Sequence, residues 1–140
     1  MMTMKFQRMR RLRHALDPGG SGAPPTVLDE AALARLRQLD PEGARGFLTQ
    51  VMRTFDASMV RHLASLEEAR LQGDLKRAGD VAHTLKSSSA SVGALAFSQG
   101  CSLVERLAKA GDASALGEPL LALQAEGERV LVAVRAMLPA

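Results

Sequence analysis

The chain has 140 residues, enough for one domain, with 46% hydrophobic and 24% charged residues but only four Phe and no Trp or Tyr. Its core must therefore be built from Leu, Val, Ala and Met, which favours helices over sheets. One Cys and three scattered His exclude a disulfide framework and a structural zinc site. No apolar run approaches the roughly 20 residues of a membrane-spanning helix, and the N-terminus lacks the apolar stretch of a signal peptide, so the expected location is cytoplasmic.

The net charge of +3 and the pI near 9.6 at first suggest a nucleic-acid-binding protein. The charge is unevenly placed. Residues 1–17 hold five bases (Lys5, Arg8, Arg10, Arg11, Arg13) against one acid, Asp17, whereas residues 18–140 hold 13 bases and 14 acids. A Pro/Gly-rich stretch from Pro18 to Pro25 follows the basic segment and has linker composition. Residues 1–26 read as a disordered basic leader and linker, and 27–140 as the domain. A solvated tail is the plain reading of such a charge run; contact with anionic lipid, nucleic acid or an acidic partner is the sharper one. Met2, Met4 and Met9 are alternative translation starts. The N-terminal Met and a full set of helices suggest a free-standing protein.

A short first helix is expected over Leu28–Leu39, with Asp29 as its N-cap, ended by Asp40-Pro41. A second runs from about Glu42 to Gln72 on a stripe of Phe47/Leu48, Val51/Met52, Phe55, Met59, Leu63 and Leu66. Gly73 ends it and Asp74 caps the next. The third spans about Leu75–Ala94, with Ala78, Ala82, Leu85, Ser89 and Val92 inward and Gly93 near its end. The fourth spans about Leu95–Ala110, using Leu95, Cys101, Leu103/Val104 and Leu107. The fifth starts near Pro119, a residue suited to a first turn, and carries Leu120, Leu123, Val130, Leu131, Val134 and Leu138. No strand alternation or repeat is visible. The expected fold is all-α: an antiparallel up-down four-helix bundle with an additional short N-terminal helix. Such a bundle closes its core within one chain, so a monomer is expected.

On a helical wheel at about 100° per residue, His83 lies roughly 130–140° from the centre of the third helix's apolar stripe and so faces solvent. Gly79 and Ser87 flank it one turn either side, Ala90 lies two turns on, and Lys86 is within reach at i+3. A partner surface can approach an imidazole closely in such small-residue surroundings. A neutral imidazole is a nucleophile near neutral pH, and a lysine offers a point charge for phosphate oxygens. The plain alternative is a surface histidine without a role, and spacing alone does not decide between the two.

Residues 82–93 read Ala-His-Thr-Leu-Lys-Ser-Ser-Ser-Ala-Ser-Val-Gly. This resembles the signature of histidine-containing phosphotransfer (HPt) domains of two-component phosphorelays, whose pattern is matched by His83, Leu85, Lys86, Ser88, Gly93, Cys101 and Glu105. The Gly73-Asp74 turn and the Phe55…Leu63…Leu66…Ala69 stretch also fit, and the resemblance covers roughly residues 27–138. One position departs: the family usually has Gly four residues after the histidine, where this chain has Ser87. Ser is small, but its hydroxyl alters the room left for a partner and offers one hydrogen bond.

The resemblance implies a phosphoryl carrier, not an enzyme in its own right. His83 accepts a phosphoryl group from a receiver-domain phospho-aspartate and passes it to another receiver aspartate. Lys86 neutralises phosphoryl charge; Gly79, Ser87 and Ala90 form the docking patch; Glu105 is either a solvated acid or a group that orients His83 or its neighbours. The implied partners are response-regulator receiver domains and a hybrid sensor kinase. The chain needs no cofactor, because Mg²⁺ belongs to the receiver. His62, at the edge of the second helix's stripe, reads as half-buried packing, His14 as solvated, and Cys101 as a small buried residue. Ser88 and Ser89 read as packing residues bonding carbonyls one turn back. Two rival readings are a non-phosphorylated adaptor and a nucleic-acid-binding protein using the leader. The body's net acidity and its lack of stacking aromatics weigh against the second.

Overall fold

The computed structural model describes residues 27–139. The leader and linker expected over 1–26, with His14, lie outside the described residues. These hold five helices and no strand: α1 (Glu30–Arg37), α2 (Phe47–Gln72), α3 (Leu75–Ser91), α4 (Leu95–Ala110) and α5 (Gly117–Ala136). Helix α2 packs on α3 and α5, α3 on α4, and α4 on α5, so the four long helices close an up-down ring. Cross-links fix the antiparallel register. Arg77 on α3 donates to Ser65 on α2 at 3.0 Å, and Arg135 on α5 forms a forked pair with Asp56 on α2 at 3.0 and 3.2 Å. The fold is the four-helix bundle with a short extra N-terminal helix that the sequence pattern implies.

The ends of the helices follow from named residues. Asp29 caps α1 by accepting from the Ala32 amide at 3.0 Å, and Asp74 caps α3 by accepting from the Arg77 amide at 3.1 Å; each satisfies an otherwise unpaired first-turn N–H. Helix α2 begins at Phe47, where its apolar stripe begins and five residues later than the expected start at about Glu42. Gly43 and Gly46 adopt left-handed φ of 69° and 62°, which breaks the helical path, while one oxygen of Asp40 accepts from the Arg45 and Phe47 amides. Helix α3 stops at Ser91 because Gly93 turns left-handed at φ 86°, and the Ala94 amide closes the turn on the Ser89 carbonyl at 2.8 Å. Helix α5 starts at Gly117, which leaves Pro119 inside the first turn, where its missing N–H costs nothing.

The core is aliphatic and joins all four long helices. Met52, Phe55, Met59, Leu63 and Leu66 of α2 meet Ala78, Ala82 and Leu85 of α3, Phe97, Cys101 and Val104 of α4, and Leu120, Leu123, Val130 and Val134 of α5. On α4 the inward stripe is Phe97, Cys101, Val104 and Glu105. Leu95 and Leu103, placed on that stripe by sequence pattern, are exposed. A helix inclines only about a third of its circumference to the core, and Phe97 claims that sector from two residues on, which puts Leu95 on nearly the opposite side of the helix. Ser88 bonds the Leu85 carbonyl at 3.3 Å. Ser89 does not behave the same way: its hydroxyl is fully buried and has no hydrogen-bond partner.

Gly93 has a second task. Its carbonyl accepts from the Asp29 amide at 2.8 Å, tying the start of α1 to the α3–α4 turn. A Cβ at this position would lie 2.8 and 2.9 Å from the Asp29 backbone N and O. Gly93→Ala therefore combines a left-handed φ, costing about 1–2 kcal/mol, with a backbone clash that has nowhere to relax. A thermal midpoint lowered by roughly 10 °C is expected, measurable by circular dichroism, with helicity retained at 25 °C.

Candidate functional site

Helix α3 buries Ala78, Ala82, Leu85 and Ser89, so the opposite flank of the helix carries His83 out to solvent. Its side chain is 69% exposed. The small residues of α3 let α4 approach closely here: a Cβ added at Gly79 would sit 3.0 Å from Ala108 Cβ. The Ser98 hydroxyl on α4 donates to the Lys86 carbonyl at 2.8 Å, pinning the two helices together next to the histidine.

That close approach brings Glu105 of α4 beneath His83. The Glu105 side chain is only 9% exposed, and its two oxygens are divided among three partners. Oε2 lies 2.6 Å from His83 Nδ1. Oε1 accepts from Lys86 Nζ at 2.7 Å. Lys109, one turn further along α4, places Nζ 3.4 Å from Oε2. Hydrogen bonding from Lys86, and then from His83, pulls the Glu105 carboxyl down from its ordinary 4.5 to about 2; burial opposes this, and Lys109 adds to it. The carboxyl is therefore ionised at neutral pH and can only accept hydrogen bonds. It follows that Nδ1 of His83 carries the ring proton and donates it to Glu105. In the neutral ring this leaves Nε2 its lone pair, and among the described residues nothing bonds to it.

The same pairing makes stability depend on pH. A depressed carboxyl stabilises the fold in full above its unfolded value near 4.5, and that contribution drains away as pH falls towards about 2. Glu105→Gln should cost stability in urea melts at pH 7, and the gap from wild type should narrow steadily between pH 4.5 and 2.5.

A groove of about 520 Å³ opens beside His83 between α3 and α4. Its lining includes Gly79, Asp80, His83, Glu105, Ala108 and Lys109. Gly79, expected at the docking patch, faces this groove. Ser87 is exposed and Ala90 half-buried on α3, and neither is part of its lining. Lys86 is tied to Glu105, within the reading of Glu105 as a group that orients His83 or its neighbours. Lys109 was missed outright; its signal was the spacing of four residues from Glu105 on one helix face.

The remaining candidates are quiet. His62 is half-buried, with Nδ1 2.7 Å from the Ser58 carbonyl, to which it donates. Cys101 is fully buried, and burial pushes its thiol from 9.0 up to about 12, which leaves it unreactive. No group of three His, Cys, Asp or Glu among the described residues is arranged to hold a metal ion, and no described helix is long and apolar enough to cross a membrane.

The sequence matches the family described as Hpt domain over residues 50–137. The fold is similar to the crystal structure of histidine-containing phosphotransfer protein B (HptB) from Pseudomonas aeruginosa PAO1. The TM-score is 0.70 at 23% identity, covering 82% of this chain and 95% of that one; at this identity the likeness speaks for the fold alone. No curated protein is matched.

Proposed function

The chain belongs to the Hpt domain family of phosphorelay carriers, and from that premise we propose that His83 is its phosphoacceptor, taking the phosphoryl group from a receiver-domain phospho-aspartate and handing it to a second receiver aspartate. The observation that carries this reading is the orientation of His83. Nδ1–H is held by a buried, ionised Glu105 at 2.6 Å, and Nε2 faces outward from an exposed ring.

The transfer balances without an added base. The Nε2 lone pair attacks phosphorus in line, the bond from phosphorus to the aspartyl oxygen breaks, and the aspartate leaves as a carboxylate. The proton on Nδ1 stays in place, so the neutral ring becomes an N-phosphorylated imidazolium. Glu105 faces the positive charge that develops on the ring, a preorganised electrostatic partner that needs no rearrangement at the moment of reaction. Lys86, 38% exposed and anchored on Glu105 Oε1, is the cation for the phosphoryl oxygens. Gly79, Ser87 and Ala90 leave room on α3 for the receiver's loops. The receiver contributes Mg²⁺ and its own acidic pocket, so most of the catalysis resides in the partner. A hybrid sensor kinase stands upstream, and the carrier acts as a monomer.

The test is incubation with phosphorylated receiver domains. Label that moves to this chain and is acid-labile but alkali-stable identifies phosphohistidine. Binding of a receiver without label would favour the adaptor reading instead.

A further inference from the structure

A second groove, of about 510 Å³, lies between α2 and α3. It differs in chemistry from the one beside His83. Phe47, Val51, Phe55 and Val92 line it, two of the chain's four Phe among them, and none of its described lining residues is charged. We infer that the chain's own basic leader docks here in cis, seating the apolar side chains of Phe6, Met9, Leu12 and Leu16. The inference stands apart from the reading of His83 as phosphoacceptor.

The point at which the chain enters the bundle is the first support. The described residues begin at Val27, half-buried against the core. Two residues on, the Asp29 amide donates to the Gly93 carbonyl at 2.8 Å, and Gly93 directly follows Val92 of the groove. The preceding segment therefore starts beside one end of the groove. Reach is the second support. Residues 17–26 span up to roughly 35 Å when extended. The groove runs along α2 from Phe47 to Ser58, roughly 17 Å at the helical rise. Composition is the third. Met2, Phe6, Met9, Leu12 and Leu16 recur every three or four residues among the leader's bases, a spacing that gathers them on one side of a helix. An uncharged groove takes such anchors and leaves the charged ends of Lys and Arg in water. Tethering favours this occupant over a foreign one. A short linker gives an effective concentration in the mM range, so a free segment at μM concentration must bind on the order of a thousandfold more tightly to displace the leader. The plain alternative is a solvated tail that does not touch the bundle.

A spin label in the leader of the full-length protein tests the contact. Cys101 is fully buried and its thiol is pushed up to about 12, so a nitroxide introduced through Gln7→Cys attaches at position 7 alone. The expected result in ¹H–¹⁵N NMR is loss of the amide signals of Thr54, Ser58, Ser88 and Ser91, which line the groove, with those of Leu71 and Ala110 at the far end of the bundle kept. Adding Phe6→Ser and Leu12→Ser to the labelled chain should restore the groove signals. Both positions lie outside residues 27–139, so the thermal midpoint of the bundle should not move. Because the groove is uncharged, the pattern should also survive about 0.5 M salt, where charge attraction between exposed groups is screened. Even broadening across the bundle, or none, overturns the inference in favour of a solvated tail. Selective broadening that vanishes in salt or persists in the double Ser variant overturns the apolar seat. Broadening of unlabelled ¹⁵N protein by labelled ¹⁴N protein would put the leader of a second copy in the groove and overturn the docking in cis.

Discussion

His83→Gln is expected to abolish phosphoryl acceptance while leaving the bundle folded. The substitution removes the only imidazole at the site, and no other histidine among the described residues can stand in. His62 is half-buried on α2 and donates Nδ1–H to its own helix. The side chain at position 83 is 69% exposed and contributes nothing to the core, so the change should fall within about 0.5 kcal/mol of wild-type stability. Circular dichroism and urea melts check the fold; labelled phosphotransfer from a receiver checks the chemistry. Gln can still bond Glu105, so receiver binding should persist in the variant. Label at the wild-type level in His83→Gln would remove His83 from the mechanism.

Glu105→Ala should slow phosphoryl transfer about 10²-fold, the usual scale for losing one preorganised electrostatic partner of a developing charge. Two effects combine. Without an acceptor at 2.6 Å, the ring proton is free to sit on Nε2, which blunts the nucleophile. Without the carboxylate, the imidazolium formed on transfer faces Lys86 and Lys109 with no counter-charge. Glu105→Gln divides these effects. Its amide oxygen still accepts from Nδ1–H, so the tautomer is kept and only the charge is lost. The Gln variant should therefore fall between wild type and Ala in transfer rate. ¹⁵N NMR of His83 should show Nδ1–H retained in Gln and a tautomer mixture in Ala. Equal rates in all three proteins would reduce Glu105 to a packing residue.

Most of the architecture was written in local pattern. Apolar spacing marked the four long helices, Asp29 and Asp74 announced the caps of α1 and α3, and Gly73 and Gly93 announced the ends of α2 and α3. These are short-range signals, each settled within a turn or two of chain. The start of α2 was not legible from the Asp40-Pro41 break, because it depends on Gly43 and Gly46 turning left-handed and on Asp40 reaching forward to the Phe47 amide. The exposure of His83 was legible because a wheel places it opposite Ala78, Ala82 and Leu85. The surroundings of Glu105 were not. Its proximity to His83 depends on how near α4 comes to α3, which is set by Gly79 against Ala108 and by Ser98 on the Lys86 carbonyl. Tertiary contacts of this kind leave no periodicity behind. The resemblance to HPt domains brought Glu105 into consideration; it carried no sign of Lys109.

The groups of the site, His83, Lys86, Glu105 and Lys109, all fall on α3 and α4, two consecutive helices joined by a three-residue turn. Chemistry and scaffold are thereby separable in the chain. The charged cluster is a cassette carried by one hairpin, and α2 and α5 serve it only by covering its apolar side. Substitutions on the outer faces of α2 and α5 therefore touch none of the charged groups of the site. Conversely, the hairpin could be transplanted as a unit onto another four-helix frame whose facing helices present the same aliphatic surface. In a bundle built this way the outer faces of α2 and α5 can change while the charged cluster on the hairpin stays as it is.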